Sequence, residues 1–197
     1  DFSKIEAGKF DTEIIDCSLG KLLNSIESMM RPKATEKGIE FKVIENNGLP
    51  AQISTDPTRL RQCLINLASN AIKFTEQGHV YIKVSLETTD NKPNIRFDVE
   101  DTGIGIPEDR QSAVFEPFTQ ADGSTTRLYG GTGLGLTITK QLTEILGGKL
   151  TLTSEMGKGS VFSIVIPAGL DVTKQPFLDR HNISDHWEDK SDKVDKM

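Results

Sequence analysis

Two groups of residues have types and a spacing that could form a ligand site, and the first of them suits a phosphate-bearing ligand. One is the glycine-rich stretch over residues 130–136, which leads directly into an apolar helical pattern. Glycine permits backbone conformations that other residues cannot adopt, and free N–H groups at a helix start attract anions. The other is the set Asn66, Asn70 and Lys73, whose spacing of i, i+4 and i+7 puts them on one face of a helix. Taken alone, the glycines also fit a flexible surface loop, and the polar face also fits a solvated helix.

A third candidate is an acidic residue followed by alternating glycines, at Asp101, Gly103 and Gly105. Asp101 stands at the end of a predicted strand, so an Asx-type turn is the structural alternative to a binding role. The acid precedes the glycines, which reverses the order of a dinucleotide-binding fingerprint. The sequence also lacks a Walker-type glycine–lysine phosphate loop, so ordinary P-loop chemistry is not expected.

Apolar periodicity and capping residues predict the helices that must position these groups. A first helix runs over 18–38, with Ser18 as its N-cap and a kink or a restart at Pro32. A second helix runs over 57–75, begins with an Asp-Pro pair and carries the two asparagines. A third runs over 134–146, directly behind the glycine-rich stretch.

Alternation of apolar and polar residues predicts two longer strands, over 80–86 and 95–99. One buried face and one wet face are typical of a mainly antiparallel sheet with helices on one side. Shorter strands are predicted over 39–45, 52–55, 149–154 and 160–166. Residues 101–132 have almost no regular pattern beyond a short helix after Pro107, and a loop of this length indicates a lid over a ligand.

The totals restrict the class of protein. A chain of 197 residues predicts one domain with extensions, and a net charge of −6 gives no reason to expect nucleic acid or an anionic membrane as the main partner. No apolar run approaches the length of a membrane span, and no signal peptide opens the chain. Cys17 and Cys63 have no paired spacing, which argues against a disulfide framework or a zinc site and for a reducing compartment.

Four stretches of the sequence resemble, in order, the N, G1, F and G2 boxes of the histidine protein kinase catalytic domain. They lie over residues 66–74, 101–106, 115–118 and 130–136. That domain belongs to an ATPase superfamily shared with DNA gyrase, the mismatch-repair ATPases and a heat-shock chaperone. The resemblance covers about residues 18–167. Residues 1–9 also look like the exit of the second helix of a kinase dimerisation domain, which points to the kinase branch.

The resemblance implies an α+β fold, a two-layer sandwich of the Bergerat ATP-binding type. A mixed, mainly antiparallel sheet would carry three main helices on one face. The chain would be a fragment of a longer kinase, with the end of a dimerisation or phosphoacceptor helix and a linker over 1–17 and an ATP-binding catalytic domain over 18–167. Residues 168–197 are polar and charged, and we expect them to form a disordered linker or tail.

The resemblance also implies a metal site and a reaction. Asn70 would bind Mg²⁺ through its amide oxygen, Lys73 would lie near the phosphates, and Asn66 would support the metal site or the phosphate to be transferred. Superfamily members that hydrolyse ATP carry a glutamate at the position of Asn66, and an amide cannot act as a general base. The implied domain therefore holds ATP·Mg²⁺ with little hydrolysis and transfers the γ-phosphoryl group to a histidine of a dimerisation domain. The histidines of this chain match no such acceptor site; they are His79, His181 and His186.

The adenine end of the site would lie at Asp101, which would accept a hydrogen bond from the adenine amino group, while the glycines behind it let the backbone approach the base. The other predicted nucleotide contacts are Gly103, Gly105, Ile106, Phe118, Arg127, Gly131, Thr132, Gly133, Leu134, Gly135, Leu136 and Ser160. Two of these have a structural alternative. Phe118, together with Phe115, is interpreted as the hinge that anchors the lid, and Ser160 could be a strand-end hydroxyl.

The expected partners are the dimerisation and phosphoacceptor domain of the same kinase and the receiver domain of a response regulator. The full-length protein would be a homodimer and the fragment a monomer. The domain would be cytoplasmic, in a parent that could be anchored in the inner membrane. Two alternatives stay open: an ATPase of the gyrase or mismatch-repair kind, and a module that senses nucleotide without transferring phosphate.

Overall fold

The structure contains the helices and strands that the sequence predicts. This computed structural model describes residues 11–118 and 133–181, together with Ser3. The helices are α1 (Leu19–Lys37), α2 (Pro57–Phe74) and α3 (Gly135–Ile145). The strands are β1 (Ile15–Ser18), β2 (Glu40–Glu45), β3 (Gln52–Thr55), β4 (His79–Thr89), β5 (Lys92–Asp101), β6 (Lys149–Glu155) and β7 (Gly159–Pro167). Short 3₁₀ turns lie at Glu108–Arg110, Ala113–Phe115 and Val172–Lys174.

Five strands form one sheet in the order β2-β4-β5-β7-β6. β2 is parallel to β4, and each of the other neighbouring pairs is antiparallel. β1 and β3 form a separate antiparallel pair. The prediction of a mixed, mainly antiparallel sheet is therefore confirmed.

The three helices form a layer on one face of this sheet. α1 contacts β2, α2 contacts β4 and β5, and α3 contacts β6, while α2 also packs between α1 and α3. Inward-facing side chains alternate along each central strand, as a sheet with one covered face requires. The buried ones are Val80, Ile82 and Val84 of β4, Ile95, Phe97 and Val99 of β5, and Phe162, Ile164 and Ile166 of β7. Cys63 of α2 lies in this core, where burial raises the pKa of its thiol to about 12.

Side-chain caps begin the two longer helices. Ser18 and Asp56 each accept the backbone N–H three residues further on, at 3.2 and 3.1 Å. The restart that we expected at Pro32 is wrong, because α1 continues through it. Pro32 leaves the Ser28 carbonyl without its helical donor, but both residues are exposed, so water can replace the missing partner.

Residues 168–181, here called the C-terminal strap, pack back onto the domain. The expectation of a disordered tail from residue 168 is therefore wrong for these residues. The Leu178 N–H donates to the Leu49 carbonyl at 2.8 Å. The Gln175 side chain bonds both backbone groups of Gln52, at 2.7 and 3.0 Å. The strap thus satisfies backbone groups that the small β1–β3 sheet leaves open at its edge.

Arg180 binds the end of the strap to α1 and β2. Its side chain is 12% exposed and donates to the Asn24 amide oxygen at 2.9 Å. It also forms ion pairs with Glu27 and, at 3.3 Å, with Glu45. These polar partners explain why a hydrophilic segment can pack against the domain.

The predicted division of the chain is tested only in part. Residues 182–197 and most of 1–10 lie outside the described residues, so the dimerisation-helix end and the far tail stay predictions. Within the described ranges, none of the helices has the length and hydrophobicity that a membrane span requires.

Candidate functional site

Asp101, the last residue of β5, has a buried carboxyl group at the edge of the central sheet. It faces Ser160 of β7 across the antiparallel ladder and is 8% exposed. The Gly103 N–H donates to its Oδ1 at 2.8 Å, and the Ser160 N–H also bonds the carboxyl. Burial raises the pKa of Asp101, and these two backbone donors oppose the rise. A carboxylate can accept about four hydrogen bonds, so the Asp101 carboxyl can also accept one from a ligand.

The glycines behind Asp101 are required by contacts within the protein. A Cβ on Gly103 would lie 2.5 Å from the Phe74 carbonyl oxygen at the end of α2. Gly105 has φ +73°, and a Cβ there would overlap the Glu155 carbonyl oxygen at the end of β6. The loop is thus wedged between α2 and the β6–β7 turn. Packing explains both glycines, and their approach to a base stays a prediction.

Two residues that the sequence analysis missed hold this loop. Ser154 of β6 accepts the Ile106 N–H at 2.8 Å and lies 2.8 Å from the Ser160 hydroxyl. The Gln111 side-chain amide donates to the carbonyls of Ile106 and Ser154, both at 3.0 Å. No sequence signal separates these residues from other polar surface residues. The predicted contacts Ile106 and Ser160 are thereby brought together with Asp101.

The opposite end of the site lies where α2 meets the start of α3. Asn66, half-buried on α2, donates from Nδ2 to the Thr139 hydroxyl at 2.8 Å. Gly135 is the first residue of α3, and a Cβ there would lie 2.8 Å from Asn66 Oδ1. The N-cap of α3 is Leu134, which provides no side-chain hydrogen bond. Leu134 thus provides no capping side chain for the first N–H groups of α3, and the start of a helix attracts anions.

Asn70 and Lys73 lie along α2 between these two ends. Asn70 is half-buried one turn after Asn66, and Lys73 stands in the last turn with its Nζ 5.2 Å from the Phe74 ring centroid. A helix rises about 1.5 Å per residue, so the eight steps from Asn66 to Phe74 cover about 12 Å. One polar helix face therefore runs from the start of α3 to the loop behind Asp101.

The residues at the two ends of the segment between the F box and the glycine-rich stretch are hydrogen-bonded to each other. The Phe118 N–H donates to the Gly133 carbonyl at 3.1 Å. Phe118 is 71% exposed and has φ +59°, an uncommon backbone conformation for a bulky residue. Phe115 instead packs edge-to-face on Phe162, with 6.3 Å between ring centroids. The ring packing that we expected at the hinge is thus observed for Phe115.

Several predicted contacts fall outside the described residues. They are Arg127, Gly131 and Thr132. Of the others in the glycine-rich stretch, Leu134 and Leu136 are half-buried at the start of α3, on either side of Gly135. The described residues thus form two clusters, one around Asp101 and one around Asn66, with α2 between them.

The fold and these two clusters define a two-layer α+β domain with an elongated polar site. Comparison with known proteins agrees with that class. The family model described as "Histidine kinase-, DNA gyrase B-, and HSP90-like ATPase" matches residues 55–170. The chain belongs to this ATPase family, and its relatives identify it as an ATP-binding catalytic domain of the histidine kinase branch.

Among curated proteins, the chain is 45% identical to the autoinducer 2 sensor kinase/phosphatase LuxQ of Vibrio vulnificus, over 85% of this chain and 20% of that protein. It is 40% identical to hybrid signal transduction histidine kinase B of Dictyostelium discoideum, over 90% of this chain and 9% of that protein. The chain thus spans a fifth or less of the length of these two relatives.

Two solved structures are also similar. Full-length ShkA in complex with AMPPNP has a TM-score of 0.74 and 36% identity, over 84% of this chain and 33% of that one. The catalytic domain of the histidine kinase ThkA has a TM-score of 0.66 and 29% identity, over 80% of this chain and 97% of that one. The resemblance and the fold class that the sequence predicted are both confirmed.

Proposed function

We propose that this domain binds ATP·Mg²⁺ along α2 and transfers the γ-phosphoryl group to a histidine on a dimerisation domain of its parent kinase. The observation that carries the proposal is the path from a buried carboxyl at Asp101 to the start of α3, which lacks a side-chain cap. Asp101 accepts the adenine amino group, and the first N–H groups of α3 receive phosphate. The single face of α2 that joins them carries the metal ligand Asn70.

The residues of this chain fit such a ligand. Asp101 keeps acceptor capacity beyond its backbone bonds, which suits an amino group of adenine. No cluster of three or more His, Cys, Asp or Glu is found among the described residues. Mg²⁺ commonly takes one or two protein ligands and fills its sphere with phosphate and water, so the Asn70 amide is sufficient. Bound ATP·Mg²⁺ supplies the phosphoryl group and neutralises its charge.

The protein positions the phosphate and does not activate water. Asn66 of α2 faces the start of α3. Hydrolysing members of the superfamily carry a glutamate at the position of Asn66, and an amide cannot remove a proton. Phosphoryl transfer depends mainly on positioning and charge stabilisation, so a domain of this kind can wait for another nucleophile. Lys73 adds positive charge at the end of the same helix face.

The proposed partners follow from this chemistry. The nucleophile is a histidine of the dimerisation domain of the same kinase, which forms a homodimer, and the phosphoryl group then passes to the receiver domain of a response regulator. We propose that the domain works in the cytoplasm, where ATP is available, also when its parent is anchored in the inner membrane. Cys17 and Cys63 are both buried and reduced, which agrees with a reducing compartment.

One assay distinguishes the proposal from its rivals. The 197-residue chain is mixed with γ-labelled ATP, Mg²⁺ and the separately produced dimerisation domain of its parent kinase. The proposal predicts acid-labile label on the dimerisation domain and little free phosphate. Steady phosphate release without labelling would indicate an ATPase of the gyrase kind. Binding without either product would indicate a nucleotide-sensing module, and either of these results would refute the transfer reaction.

A further inference from the structure

The Thr139 side chain of α3 bonds two residues at the proposed phosphate end, although Thr139 belongs to none of the sequence motifs. It is 2% exposed. Its hydroxyl accepts the Nδ2–H of Asn66 at 2.8 Å and donates to the Gly135 carbonyl one turn earlier, at 2.9 Å. The two bonds use the hydroxyl in its two different roles, as an acceptor and as a donor.

These two bonds determine which way the Asn66 amide points. A hydroxyl has one proton, and Thr139 gives it to the Gly135 carbonyl, which can only accept. The hydroxyl can therefore only accept from Asn66, so the amide must turn its nitrogen towards Thr139. Its oxygen then lies on the Gly135 side, 2.8 Å from the position of a Cβ on that residue. Without the Thr139 hydroxyl, this bond would no longer distinguish the two orientations of the amide.

We infer that Thr139 is a positioning residue, which holds the Asn66 amide with its oxygen towards the nucleotide. This inference rests on the proposed function and deepens it. An amide oxygen is an acceptor only, so it attracts a divalent cation or the water bound to it and repels phosphate oxygens. The amide orientation held by Thr139 therefore places Asn66 on the metal side of the triphosphate, one helical turn before Asn70.

The test is the Mg²⁺ dependence of AMPPNP binding to the 197-residue chain, measured by calorimetry with and without MgCl₂. Thr139→Val keeps the side-chain shape and removes the hydroxyl. We expect the Mg²⁺ concentration at half-maximal binding to rise about three- to tenfold, because the hydrogen bond that orients the Asn66 amide is lost. The affinity for AMPPNP without Mg²⁺ should stay unchanged. Thr139→Ser keeps the hydroxyl and should restore the midpoint of the unaltered chain.

Thr143→Val is the matched control. Thr143 is fully buried one turn further along α3 and makes the same bond to the carbonyl four residues earlier, at 2.7 Å, but lies beside Cys63. The Thr143→Val substitution should leave the Mg²⁺ concentration at half-maximal binding, the midpoint, unchanged. Gly135→Ala is a second route to the same effect, because its Cβ would displace the Asn66 amide while Thr139 stays in place.

A double-mutant cycle separates the inference from the function on which it rests. If Thr139 acts through Asn66, the pair Asn66→Ala with Thr139→Val should raise the midpoint no further than Asn66→Ala alone. Three results would each overturn the positioning role and leave the proposed function standing. The first is that the effects of the two substitutions on the midpoint are additive. The second is an equal rise of the midpoint in Thr143→Val, and the third is a rise in Asn66→Ala without one in Thr139→Val. An unchanged midpoint in Asn66→Ala would overturn the metal-side assignment of Asn66 and this inference with it.

Discussion

Replacing Asp101 by asparagine should weaken ATP binding and stabilise the free domain at the same time. The substitution keeps the shape of the side chain and removes its negative charge and one of its two acceptor oxygens. In the proposed complex the lost partner is the adenine amino group. A hydrogen bond that involves a charged group contributes about 1.5–3 kcal/mol, so the dissociation constant should rise roughly ten- to 150-fold.

The predicted gain in the free energy of unfolding follows from the raised pKa of Asp101. Burial disfavours the ionised carboxylate and is the largest cause of the shift, with the Gly103 and Ser160 backbone donors opposing it. A carboxyl whose pKa is raised on folding stabilises the fold only while it is protonated, and that contribution is lost as the pH rises through the folded pKa. The gain from Asp101→Asn should therefore grow with pH, beginning near 3.8, the ordinary pKa of Asp.

Asp98→Asn is the matched control, because it makes the same change three residues earlier on β5. Asp98 bonds Arg96 at 2.9 Å and the Ser163 hydroxyl, away from the loop behind Asp101. Calorimetry with ATP should show unchanged affinity for Asp98→Asn, and urea unfolding from pH 3 to 8 should give the stability difference for each variant. Equal ATP affinity in Asp101→Asn and the unaltered chain would refute the adenine assignment. A stability difference that does not grow with pH would refute the role of burial.

Three further substitutions test the strap, the loop behind Asp101 and the metal ligand. Arg180→Ala should lower the free energy of unfolding in urea by about 2–3 kcal/mol, because the partly buried Glu45 loses this ion pair while Glu27 retains the one with Arg31. Lys174→Ala on the exposed part of the strap should cost less than about 1 kcal/mol. Gly105→Ala should cost about 2 kcal/mol or more in the same assay, and Gly157→Ala, with a similar φ but open space around it, about 1 kcal/mol. Asn70→Asp should abolish Mg²⁺-dependent nucleotide binding in calorimetry with the fold intact, because a carboxylate there repels the triphosphate; unchanged affinity would contradict the assignment.

The sequence predicts the helices and the sheet of this domain because their signals are local. Ser18 and Asp56 are capping residues followed by apolar periodicity, and both caps are present. The hairpin strands β4 and β5 are longer than predicted, since their exposed ends near Asp90 lose the apolar alternation while the backbone ladder continues. Pairing of backbone groups needs no particular side chain, so such strand ends leave little trace in a sequence.

The strap and the Thr139 contact could not be predicted for a different physical reason. Both depend on partners far apart in the chain: Arg180 reaches α1 and β2, and Thr139 reaches Asn66. A polar segment without apolar periodicity is typical of a solvated tail until the partners that satisfy it are known. In the same way, a threonine in a helix is usually satisfied by its own backbone, as Thr143 is.

The two ends of the site are held by different kinds of structure, and this difference decides how each responds to change. The proposed adenine end is built from β5, β6 and β7 with a loop so tightly packed that Gly103 and Gly105 have no room for a side chain. Substitutions there must alter stability and affinity together. At the proposed phosphate end, the N-cap of α3 provides no side-chain hydrogen bond, and the Asn66 amide that faces this helix start bonds the Thr139 hydroxyl. Substitutions there should change the response to Mg²⁺ while the free energy of unfolding falls only by about the 0.5–1.5 kcal/mol of one hydrogen bond. Plotting the two quantities against each other for all these variants should therefore separate the two proposed ends.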